Sequence, residues 1–81
     1  MGFKLFSRVA LSVDIPEHGL KAGDVATVVD IHAAGARTGY SLELFNALGD
    51  TIAVVVVDEA QIELLREDEI LHARLFDKIA A

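Results

Sequence analysis

Tyr40-Ser41-Leu42-Glu43-Leu44-Phe45 alternates apolar and polar side chains through its first five residues. That is the period of a β-strand with one face on a core and one in water. Asn46-Ala47-Leu48-Gly49-Asp50 follows, rich in turn formers, and then the β-branched run Thr51-Ile52-Ala53-Val54-Val55-Val56-Val57. Two strand-like runs around a short turn predict a β-hairpin. The second run has no polar residue at positions 52–57, so neither of its faces is suited to water.

Working outward, Val25-Ala26-Thr27-Val28-Val29-Asp30-Ile31-His32 reads as a preceding strand, β-branched at most positions. The small residues 33–39 read as a flexible connection. Residues 14–24 carry Pro16, Gly19 and Gly23 and predict a long loop. A first strand is expected over Phe3–Val13, with its alternation broken at Phe6. Downstream, Asp58-Glu59-Ala60-Gln61 suggests one helical turn and Ile62-Glu63-Leu64-Leu65 a last short strand. Leu71, Leu75 and Ile79 recur four apart, and Glu67-Asp68-Glu69 would favour a helix N-terminus, so a helix is expected over 67–79. The pattern is mostly β. Five short strands, with a barrel at about 3–65 and a short C-terminal helix, are expected to make one domain over 1–81.

A chain of 81 residues buries a thin core. It has no cysteine, so neither disulfides nor thiolate metal sites are open to it, and 53% of its residues are hydrophobic. Oligomerisation is the remaining common way to cover such a surplus. The longest apolar run, the six residues Ile52 to Val57, falls far short of the about 20 needed to cross a bilayer. No signal peptide is recognisable at the start, and the cytoplasm is the expected compartment. The net charge of −6 lies entirely in residues 41–81, where nine acids face Arg66, Arg74 and Lys78. Nucleic-acid binding depends on clustered lysine and arginine, which this chain lacks.

No catalytic, cofactor or metal constellation emerges. His18, His32 and His72 fall in separate elements without a ligand spacing, and Ser7, Ser12 and Ser41 have no neighbouring histidine in the chain. Glu67, Asp68 and Glu69 would point in different directions on a helix. Asp24 is expected to fix the turn at a strand entrance by accepting backbone N–H bonds. Residues Ile52, Val54, Val55, Val56 and Val57, with Leu71 and Leu75, form the candidate self-association surface. Two coverings are open for that strand: the C-terminal helix, or a second subunit.

The order Arg8-Val9-Ala10-Leu11, then Ile15-Pro16-Glu17-His18-Gly19-Leu20-Lys21-Ala22-Gly23-Asp24, then Val25-Ala26-Thr27-Val28-Val29 and Tyr40 to Gly49 resembles a family of short bacterial proteins. That family is defined only as a domain of unknown function and is taken to be an SH3-like barrel of the KOW group. The resemblance covers about residues 5–65. Ala26 stands where the wider group carries a glycine, which weakens any partner contact over that strand. Family members that lie beside toxin-like genes imply an antitoxin or immunity role, with a toxin-like protein encoded nearby as partner. In SH3-like barrels the long loop binds partners, which marks Ile15, Pro16, Glu17, His18 and Leu20, with Tyr40, as candidate contacts.

The expected function is therefore a non-enzymatic protein-interaction module that also self-associates. The alternatives are a KOW-type RNA- or ribosome-associated barrel, whose binding would weaken steeply with salt, and a small accessory subunit of an enzyme.

Overall fold

The hairpin read from residues 40–57 is present and extends further at both ends in the computed structural model, which describes residues 2–76. Five strands form one antiparallel sheet: β1 (Arg8–Leu11), β2 (Val25–Ala34), β3 (Arg37–Phe45), β4 (Thr51–Asp58) and β5 (Ile62–Leu64), in the order β4-β3-β2-β1-β5. The only helical turns among the described residues are two 3-10 turns, at Pro16–His18 and Glu59–Gln61.

Residues 33–39, expected as a flexible connection, are instead mostly strand. Gly35 has φ 63° and opens a two-residue turn, so Ala34 pairs directly with Arg37. Glycine at the first central position lets a two-residue turn follow the twist of its strands. The β3–β4 turn is built on Asn46, whose Oδ1 accepts the N–H groups of Leu48 and Asp50, both at 2.9 Å. The first strand is shorter than its sequence suggested. Phe6, with φ 66°, breaks the extended backbone, and the regular strand is Arg8–Leu11, with Phe6 and Ser7 still bonded to the Val28 backbone.

Tyr40, Leu42 and Leu44 of β3 point inward, as their alternation predicted, beside Val57 and Val55 of β4 and Val28 of β2. The inward side chains of both edge strands, Val55 and Val57 at one end and Ile62 at the other, belong to the same core as Val9 and Leu11. A sheet whose two edges share one core must be strongly curled. Extra residues at Val29 in β2 and Ile52 in β4 shift the register and supply bends.

The sheet nevertheless does not close into the expected barrel. β5 is three residues long and spends its pairing on β1, which leaves β4 and β5 as free edges among the described residues. The turn that leads into β5 is held to β1, with Ser12 donating from its N–H to Gln61 O at 2.8 Å and from its hydroxyl to Ala60 O. This steers the chain away from β4.

The expected helix over 67–79 is also absent as far as it is described. Residues 67–76 are a turn followed by irregular chain, and 77–79 lie outside the described residues. Arg66 closes the turn by donating its N–H to Glu69 Oε1 and its guanidinium to Asp68, so the acids serve a loop instead of a helix start. Leu71 and Leu75 are exposed and make no apolar stripe. Short helices without a packed face are marginal in water.

Candidate functional site

The loop expected at residues 14–24 is a pinned structure. Ile15 and Leu20 bridge each other by two backbone hydrogen bonds around the turn Pro16–His18, and Gly19 closes that turn at φ 69°. Both apolar side chains are buried in the core, as is Tyr40. The Tyr40 hydroxyl accepts the Phe3 N–H at 3.2 Å and its ring meets Phe3 edge-on at 5.4 Å. Ile15, Leu20 and Tyr40 therefore serve the core and offer no side chain to a partner. Of the six candidate contacts, only Pro16, Glu17 and His18 are exposed.

The valine run divides by strand alternation. Val55 and Val57 are core, and Ile52 is half-buried against it, so these three are not free for self-association. Val54 and Val56 face outward and are 58% and 68% exposed. Leu71 and Leu75 lie instead beside a cleft bounded by Leu20, Leu44 and Ile52. Of the two coverings open for the run, no C-terminal helix is found among the described residues, where Val54 and Val56 form an uncovered apolar edge.

That edge is unusual for what it lacks. Free edge strands are normally blunted by lysine, proline or an inward charge. β4 has none of these between Ile52 and Val57, and its only irregularity is the bulge at Ile52. Carboxylates rim it: Glu43 lies beside Val54 on β3, while Asp50 and Asp58 mark its two ends. Glu43 is held in place by the Thr51 hydroxyl.

Strand pairing also brings together a group that sequence separation hid. Across β2 and β3, His32 Nε2 lies 2.7 Å from Ser41 Oγ and 3.9 Å from Asp30 Oδ2. This resembles a nucleophile–base pair, and it corrects the expectation that Ser41 has no histidine neighbour. Both partners reach the same ring nitrogen, however. A catalytic base needs its second nitrogen oriented by the acid, so the arrangement does not activate Ser41. Among the described residues no three His, Cys, Asp or Glu side chains converge to hold a metal ion.

The most constrained polar site is at Asp24. It fixes its turn as expected, accepting the Lys21 N–H at 2.7 Å. It also receives Arg74 at two points, Nε to Oδ1 at 2.8 Å and Nη2 to Oδ2 at 2.6 Å, while Nη2 reaches Gly19 O at 3.0 Å. Burial pushes the Asp24 carboxyl up, but the bonds from Arg74 and Lys21, with the charges of both side chains, outweigh it and hold the group below its ordinary value. The bond to Asp24 raises Arg74 in turn, against a smaller opposing effect of burial. Nothing in the sequence marked this pairing, because its two halves lie 50 positions apart.

The curled five-stranded sheet with one apolar edge defines a small, mostly β domain. The chain belongs to the family described as Domain of unknown function (DUF4926), whose model matches residues 5–64, the stretch from just before β1 to the end of β5. No curated protein and no solved structure matches it.

Proposed function

We propose that the chain is a non-enzymatic protein-binding module, an SH3-like curled sheet that receives a cationic partner strand along β4. The observation that supports this reading is the free apolar edge, with Val54 and Val56 exposed and Glu43, Asp50 and Asp58 around it. Adding a strand to such an edge satisfies backbone groups, and its outward side chains select the partner. Carboxylates at the rim favour a partner whose apolar strand is flanked by lysine or arginine. Self-pairing is the weaker use of this edge. Antiparallel pairing centred between Val54 and Val55 sets Glu59 of one copy against Asp50 of the other, adding repulsion between two chains of net charge −6.

In the version that the family resemblance implies, the partner is a toxin-like protein encoded by a neighbouring gene, whose basic surface the acidic rim covers. Co-expression with the product of the adjacent gene is expected to yield a stable complex that rescues growth. Val56→Lys is expected to break it while leaving the fold intact. No complex, or a complex indifferent to Val56→Lys, overturns the reading.

A further inference from the structure

We propose that the cleft at Asp24 is a docking site for an extended peptide bearing an arginine with an aromatic residue two positions further on, and that residues 70–76 are its internal occupant. The receptor side lies wholly within the family domain. It comprises the Asp24 carboxylate, 17% exposed at its side chain with Arg74 seated on it, the Gly19 carbonyl, and an apolar side formed by exposed Phe45 and half-buried Ile52 above the buried Leu20 and Leu44. Its carboxylate is oriented before any ligand arrives by the Lys21 N–H, and Asp14 Oδ1 holds the same turn through the Ala22 N–H at 2.8 Å. A fixed carboxylate with a carbonyl beside it matches the planar fork of a guanidinium and not the point charge of lysine.

The occupant comes from outside the matched region. Arg74 fills the polar part and Phe76 packs against the core, leaving Leu75 between them 92% exposed. Ile70 and Leu71 are also left in water. The strap is thus held at two points and wastes most of its apolar surface. A cleft of about 560 Å³ remains beside it. A ligand with the same arginine and aromatic spacing, and apolar residues turned inward, would use this surface more fully and displace the strap. The tether gives the strap an effective concentration in the millimolar range, which any incoming peptide must overcome. Removing Arg74 should therefore uncover the site. This inference concerns a different surface from β4 and stands apart from the reading above.

The test uses the full chain and a fluorescent peptide unrelated to residues 70–76 except for arginine and phenylalanine at the same spacing. The Arg74→Ala chain is expected to bind it at least tenfold more tightly than the unmodified chain. Replacing the peptide's arginine by lysine, or combining Arg74→Ala with Asp24→Asn, is expected to abolish binding. Equal binding by the two chains, or equal binding of the arginine and lysine peptides, overturns the proposal. Should Arg74→Ala fail to fold, the unmodified chain is titrated with millimolar peptide and followed by amide NMR. Shifts at Lys21 and Asp24 support the site, and their absence overturns it.

Discussion

The Arg74 guanidinium grips the Asp24 carboxylate at two points, 2.8 and 2.6 Å, across 50 residues of sequence. It ties the segment after β5 to the loop before β2. Two parallel charge-assisted bonds to a largely buried carboxylate are stronger than an ordinary surface ion pair. Arg74→Ala is expected to cost about 1 kcal/mol, read as a drop of about 4–8 °C in the melting temperature for a domain this small.

The same pair sets an acid limb of stability. The folded-state pKa of Asp24 lies below its ordinary value of 3.8. Its contribution is therefore present above the unfolded value and is lost as pH falls through the lower folded value. Melting temperatures of the unmodified chain should decline more steeply below about pH 4 than those of Asp24→Asn. Parallel declines would show that the carboxylate contributes nothing.

Opposite faces of the sheet should respond differently to substitution. Leu42 is fully buried at the centre of β3, and Leu42→Ala is expected to cost about 2–5 kcal/mol by urea unfolding, a large part of what a small domain possesses. Val54→Thr, on the outward face of β4, should change stability by less than about 0.5 kcal/mol.

Salt separates the two uses of β4. Screening weakens attraction between the acidic rim and a cationic strand, so a heterologous complex should loosen between low and high ionic strength. It also relieves repulsion between copies, so any self-association by light scattering should increase over the same range. A complex that tightens with salt would contradict the role given to Glu43, Asp50 and Asp58.

Ser41 should not react with a serine-directed fluorophosphonate, despite the histidine 2.7 Å away. Asp30 approaches the same ring nitrogen as Ser41, and the group lies on an exposed sheet face. Labelling of Ser41 that depends on His32 would reopen an enzymatic reading.

Much of the fold was legible where one local rule decided the outcome. The alternation from Tyr40 to Leu44 placed three core residues correctly, and Asn46 to Asp50 marked a turn that the structure builds on the Asn46 side chain. Pro16 and Gly19 announced a turn, but the same residues gave no sign that Ile15 and Leu20 beside it are pinned into the core. The helix expected over 67–79 failed because recurrence of leucine every four residues is only a preference. It becomes a helix when a neighbouring surface accepts the stripe, and here Arg74 instead ties the irregular segment to Asp24 and Gly19.

The sequence by itself determined the class of the protein: a β domain with an acidic second half and a valine-rich run too apolar for one buried face. Those properties depend on composition and on residues within a few positions of each other. Only the tertiary structure decided that the sheet stays open, that Val54 and Val56 are the exposed half of that run, and that Asp24 meets Arg74. Each of these depends on which distant segments pair, and the short β5, committed to β1, leaves the outer edge of β4 unpaired among the described residues.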